Sequence, residues 1–229
     1  MDDNLQILYE DNHLIAVNKT VHDLVQKDST GDTSLDDKVR EYIRVKYKKP
    51  GNAFLGVIHR LDRPVSGVVL FARTSKALIR MNNLFRESAV QKTYWAIVKD
   101  PPPKDADTLV HFIVRNQKQN KSYIYSAEVK NSKMAELDYR RLASSDRYHL
   151  LEIDLKTGRH HQIRAQLAGI GCPVRGDLKY GSQRSNPDGG ISLHARKIVF
   201  IHPVTKEEVT VLADPPQGDK LWGIFARKY

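Results

Sequence analysis

The segment His59-Arg60-Leu61-Asp62-Arg63-Pro64 sets one carboxylate between two guanidiniums, just ahead of the apolar run Val68-Val69-Leu70-Phe71-Ala72. Arginines beside a carboxylate keep it ionised and orient it through charge-assisted hydrogen bonds. A nucleophile or an electrostatic stabiliser needs that setting, and so does a plain structural ion pair at the start of a strand. A second cluster, Thr157-Gly158-Arg159-His160-His161-Gln162-Ile163-Arg164, joins a glycine turn to what reads as a helix start. Unsatisfied N–H groups and a positive dipole end there suit a phosphate; ordinary capping of a basic helix explains the residues equally well. Arg164 falls one turn into that helix, so its head could reach a partner near the sheet edge. His160 and His161 are adjacent, which on a helix points them about 100° apart. They lack the i, i+4 spacing of a two-histidine ligand pair, so no metal is expected. Tyr94 shares a strand face with Ala96 and Val98 by alternation, and a tyrosine in a sheet serves packing as readily as chemistry.

The elements around these residues read as follows. Two short strands, Ile7-Leu8-Tyr9 and Leu14-Ile15-Ala16-Val17, are joined by the turn-forming pair Asp11-Asn12. Thr33 or Ser34 can cap a helix whose apolar positions Leu35, Val39, Tyr42 and Ile43 share a face. Its other face carries Lys38, Arg40, Arg44 and Lys46, a solvated surface or a phosphate contact. The apolar run at 68–72 predicts a strand covered on both sides, and Ser75 opens a helix with Ala77, Leu78, Met81, Leu84 and Phe85 at helical spacing. Strands follow at 93–98, 135–141, 149–155, 192–201 and 208–213, the last two flanking the turn 202–206 as an antiparallel hairpin. Residues 101–107 read as a proline-rich surface loop and 115–122 as a basic polar connection. Many strands, about three helices and no regular alternation argue against a doubly wound βαβ protein. The expectation is one α+β domain over residues 1–229, on a mostly antiparallel sheet with a few flanking helices.

Composition narrows the class. With 40% hydrophobic residues in 229, the chain can bury a core. No window nears the roughly 20 apolar residues of a membrane-spanning helix, and the opening Met-Asp-Asp-Asn does not read as a secretory signal. A single cysteine, Cys172, allows no internal disulfide. Together these predict a soluble cytoplasmic protein with a reduced thiol; nothing in them sets the oligomeric state, for which a monomer is the default. The 37 Lys and Arg against 27 Asp and Glu leave a net charge of +10, which favours a polyanionic partner through counterion release.

Four segments, in order, resemble the RluA-type family of RNA pseudouridine synthases. They are the stretch from Ile7 to Lys19; the run from His59 through Thr74; Lys92-Thr93-Tyr94; and Thr157-Gly158-Arg159 with His161-Gln162-Ile163-Arg164, followed by Gly176-Asp177 and Tyr180-Gly181. The resemblance implies isomerisation of uridine within tRNA or ribosomal RNA, without cofactor. It implies that Asp62 attacks the anomeric carbon or removes a neighbouring sugar proton, that Arg164 pairs with Asp62, and that Tyr94 packs against the uracil. A paired base is out of reach, so the uridine must flip out, with Arg60 filling the space left behind. His59, Arg63, Arg159, His161 and Ile163 are the further RNA-contact expectations. Two departures stand out: Thr20-Val21-His22-Asp23 replaces the family's proline and glycine after Asn-Lys, and His160 stands where threonine is usual. Many relatives also carry a small N-terminal RNA-binding domain, for which the first motif begins too early here. A fold-keeping RNA-binding protein without turnover is the main rival. A nucleoside glycosidase would need a second carboxylate, and none is evident near Asp62 in sequence.

Overall fold

The structure, a computed structural model, describes residues 5–27 and 31–228. The opening residues behind the no-leader expectation lie outside that range. In chain order the elements are β1 (Gln6–Glu10), β2 (Leu14–Lys19), α1 (Leu35–Lys46), β3 (Gly56–Val57), β4 (Ser66–Ala72), α2 (Ser75–Arg86), β5 (Gln91–Val98), β6 (Ala106–Asn116), β7 (Lys121–Tyr125), β8 (Lys133–Ser144), β9 (His149–Leu155), α3 (Gln162–Gly169), a 3-10 turn at Leu178–Tyr180, β10 (Leu193–Ile201), β11 (Glu208–Leu212) and α4 (Lys220–Ala226). They cluster into two compact units, the residues up to Val90 with Ala195–Pro216, and Gln91–His194 with Gln217 onward.

In the first unit β2 pairs with β1 on one side and β4 on the other, both antiparallel, and β10 pairs with β11. The β1–β2 turn forms as Asp11 predicts, because its Oδ1 accepts the N–H groups of His13 and Leu14, both at 2.7 Å. All seven residues of β4 are buried, as a run without polar alternation requires. Its Leu70 and Val68 pack with Leu14, Ala16, Ile198 and Phe200, and Ala77 and Met81 of α2 close the cluster. Burying each such large aliphatic side chain contributes about 1.5–3 kcal/mol. Thr74 caps α2 by accepting the Ala77 N–H at 3.1 Å. Ser34 is the N-cap of α1 but turns its hydroxyl to the carboxylates of Asp36 and, 3.0 Å away, Asp37. Gly67, one residue into β4, has φ of +116°, and a Cβ there would collide with the Ala195 backbone. No other residue fits that position without moving a strand.

The second unit is an antiparallel sheet in the order β5-β9-β8-β6-β7. One end of one face is closed by α4, whose Trp222 and Phe225 pack on Trp95, Ile97 and Leu150. The other face takes α3: Gln166 Nε2 donates to the carbonyls of Leu109 (3.0 Å) and Ala135 (3.2 Å), and Gly169 allows close approach to Ile124. Three expectations change here. The basic connection at 115–122 is the tip of a β6–β7 hairpin, with Arg115 facing Ser122 and Asn116 facing Lys121. The proline-rich loop ends early, because β6 already begins at Ala106. The described residues also hold four α-helices rather than three, α4 being the addition.

Candidate active site

Asp62 belongs to the first unit, Tyr94 and Arg164 to the second. Asp62 is half-buried in the turn before β4, closed by the Val65 N–H donating to the Asp62 carbonyl at 3.0 Å. The arginines beside it do not surround it as the sequence suggests. Arg60 is exposed, and Arg63 reaches away to Asp32, Nη2 to Oδ2 2.9 Å. His59 is anchored on the scaffold: its Nε2 accepts the Leu70 N–H at 3.1 Å and its ring stacks on Phe85.

Sequence reasoning quoted Lys19 without giving it a role, and Lys19 organises this loop. It is 1% exposed, and its Nζ donates to the carbonyls of Thr20 (2.8 Å), Arg63 (2.8 Å) and Val65 (2.7 Å). All three ammonium protons are thereby used, and two of them hold the backbone immediately after Asp62. Burial pushes the Lys19 ammonium down to about 7, against the opposing pull of the Asp23 and Asp62 charges, while the Arg63 charge adds to the lowering. The departure at 20–23 serves the same loop. Asp23 accepts from the Thr20 hydroxyl at 2.7 Å and from Lys38 Nζ at 3.1 Å. Burial would raise the Asp23 carboxyl, but those donors outweigh it and hold the group below its ordinary value.

In the second unit Tyr94 lies half-buried on β5 opposite Ile153, on the face that alternation assigns it. Arg164 is 5% exposed on α3. Asp177 engages one edge of its guanidinium as a bidentate partner, Nε to Oδ2 2.6 Å and Nη2 to Oδ1 3.0 Å. Tyr180 lies below, its ring 5.1 Å from the Arg164 guanidinium carbon. Asp177 and Tyr180 belong to the last of the four resembling segments, which assigns them no role. Their joint signal was an acid and an aromatic at short range after a buried arginine.

The histidines behave differently from the helical expectation. His161 is the N-cap of α3 in a left-handed conformation, φ +53°. That bend brings its ring onto His160, centroids 3.8 Å apart, instead of splaying the pair by 100°. His161 is 8% exposed and its Nδ1 meets the Tyr180 hydroxyl at 3.0 Å. His160 reaches the hairpin instead, with Nδ1 2.9 Å from Ser122 Oγ and Nε2 3.1 Å from Asn120 Oδ1. Ile163 is buried. Arg159 is exposed and donates Nε to the Met134 carbonyl at 2.9 Å. The turn is not an open phosphate cradle, because Gln162 Oε1 already accepts the Arg159 N–H at 2.9 Å.

Comparison with known proteins bears on this arrangement. Residues 13–169 match the family model described as RNA pseudouridylate synthase. The chain is 32% identical over 212 residues to the ribosomal large subunit pseudouridine synthase C of Rickettsia prowazekii, covering 92% of this chain and 68% of that one. It is 30% identical over 227 residues to the tRNA pseudouridine synthase C of Haemophilus influenzae, covering 91% and 92%. Among solved structures, human RNA pseudouridylate synthase domain containing 4 shares the fold with a TM-score of 0.81 at 24% identity, over 97% of this chain and 93% of that one. Human RNA pseudouridylate synthase domain containing 1 follows at 0.73 and 26%, over 93% and 84%. The matched stretch runs from the β1–β2 turn through Asp62 and Tyr94 to the end of α3, and on that ground the chain belongs to the RNA pseudouridylate synthase family.

Proposed function

We propose that residues 1–229 act as one catalytic domain that isomerises a uridine of tRNA or ribosomal RNA, with Asp62 as the reacting carboxylate. The bond from uracil N1 to the sugar C1′ breaks, either by attack of Asp62 on C1′ or after Asp62 removes the 2′ proton. The base then turns and C5 bonds to C1′, either as the Asp62–C1′ bond breaks or, on the other route, as Asp62 returns the proton to C2′; the proton lost from C5 is balanced by the one gained at N1. No electron donor or transferred group enters, so the reaction needs no cofactor. Arg164 would pair with Asp62 and aim it, with Asp177 fixing the guanidinium from its other edge. Tyr94 would pack on the turned-out uracil, and Arg60, exposed beside Asp62, suits the space left in the RNA. The partner is structured RNA and the protein works in the cytoplasm as a monomer; no helix among the described residues is long and apolar enough to cross a membrane.

The observation that carries the reading is the Lys19 clamp. A buried ammonium gives two of its three protons to the Arg63 and Val65 carbonyls that follow Asp62 and the third to Thr20, a costly arrangement that supports a fixed position for one half-buried carboxylate. Asp62→Ala is expected to abolish pseudouridine formation on total RNA while circular dichroism and RNA affinity stay near wild type. A variant that still forms pseudouridine at the wild-type rate would overturn the assignment.

A further inference from the structure

The second unit presents a surface that carries none of the residues assigned to the reaction. Cross-strand register sets Phe112 opposite Tyr125 and Met134, and Val114 opposite Tyr123. These five residues and Val110 therefore share one face of the β8-β6-β7 edge, while Ile113, Ile124 and Ala135 point to the side that takes α3. On a soluble protein that outer face should be polar, yet Val110 is 50% exposed, Met134 47%, Tyr125 42% and Tyr123 39%. The charge at the hairpin end of this face is one-sided, while Glu136 and Asp138 of β8 lie farther along it. Residues 115–133 carry Arg115, Lys118, Lys121, Lys130 and Lys133 against the single carboxylate Glu128, a net +4; Arg115 and Lys133 alternate with Ile113 onto the α3 side, leaving Lys118, Lys121 and Lys130 for the rim of this face. None of these five cations makes an ion pair among the described residues. Lys121 stands between the two sides of the hairpin tip, 5.6 Å from the Tyr123 ring centre and 5.1 Å from that of Tyr180.

We infer that this face of the β6–β7 hairpin and β8 is a second RNA-docking surface, on which unpaired bases stack against Tyr123, Tyr125 and Phe112 while the hairpin cations take the phosphates. The inference rests on the RNA reading above and extends it to a stretch of RNA away from the reacting uridine. Exposed aromatic rings within a basic rim are the arrangement that holds single strands without reading sequence. A second copy of the chain would bring the same positive rim against itself and be repelled. Duplex RNA offers phosphates but hides its base faces, so the aromatic row favours single strands. His160 helps hold the platform, since its ring ties Ser122 and Asn120 of the hairpin to the start of α3.

The test is a double substitution, Tyr123→Ala with Tyr125→Ala, beside the matching pair of Tyr→Phe changes that keeps the rings. Binding is read by fluorescence anisotropy with a single-stranded RNA of about ten nucleotides and with a duplex of equal length. The alanine pair is expected to lose roughly tenfold or more in single-strand affinity, to change little on duplex, and to keep the wild-type rate of pseudouridine formation at saturating RNA. The phenylalanine pair should retain binding. Unchanged single-strand affinity in a folded alanine pair overturns the inference. So does sedimentation in which the wild type is a dimer and the alanine pair a monomer with unaltered RNA binding. Failure of the wild type to form pseudouridine would count against Asp62 and the proposed reaction, and would leave the binding comparison decisive for this surface.

Discussion

The loop around Asp62 and the β6–β7 hairpin treat positive charge in opposite ways. Lys19 in the first region is sealed from water, its three protons given to carbonyls. Arg164, behind the hairpin on α3, is likewise buried and held by Asp177. The hairpin cations stand in solvent without an anion. The difference teaches that the net +10 is not spread evenly as a property of the surface. Lys19 and Arg164, the cations of the proposed site, are desolvated and held by partners, and the hairpin cations that could meet a polyanion are left without ion pairs. The helix α1 forms a useful third case. It looks basic in sequence, yet Lys38 pairs with Asp23, Arg40 with Asp36 and Asp37, Arg44 with Glu41, and Lys46 with Glu10. Its expected role as a phosphate contact is weakened accordingly.

The comparison can be broken most sharply at Arg164. Arg164→Ala leaves Asp177 buried without its bidentate partner, and such a loss costs roughly 3–5 kcal/mol. Urea unfolding should show it, and a cost below about 1 kcal/mol, the range of exposed pairs, would remove Arg164 from the desolvated class. Lys19 comes next and acts through pH. Its folded pKa of about 7 lies below the ordinary 10.5, so between those values the unfolded chain holds more protons than the folded one. Stability contributed at this site is therefore lowest below pH 7 and rises as pH increases. Relative to Lys19→Met, the wild type should gain about 2 kcal/mol between pH 7 and pH 9; parallel stability curves would mean that burial does not shift the ammonium. The smallest effects on stability belong to the exposed cations. Lys118→Ala with Lys130→Ala, both exposed, should leave unfolding within about 0.5 kcal/mol of wild type but flatten the salt dependence of single-strand RNA binding by about 0.7 per lysine in log–log slope. Arg44→Ala should change neither, and a flattened slope there would erase the distinction between α1 and the hairpin.

Much of the first unit was legible because its segments carry clean periodicity. The unbroken apolar run made β4 a strand buried on both faces, 3.6-residue spacing marked α1 and α2, and Asp11-Asn12 marked the first turn. The second unit hid more. Residues 106–116 form an eleven-residue strand, but Val110, Phe112 and Val114 put apolar side chains on the solvent face, so the alternation that signals a half-buried strand is missing. The feature that obscured β6 is the one that makes its outer face a binding surface. Lys220–Ala226 spans only seven residues around Gly223, too short a run to show a helical period. His161 was placed on a helix because nothing local announces a non-glycine residue at positive φ.

By itself the sequence determined the main elements of the first unit, the carboxylate to bet on and the family that the chain resembles, because these follow from local pattern and from motifs. Only the tertiary structure decided which cations are neutralised. Lys46 finds Glu10 from 36 residues away, Lys19 finds the Val65 carbonyl from 46, and Arg164 finds Asp177 from 13. Ion pairing depends on distance in space and on access to water, and neither quantity is written in the spacing of residues along a chain.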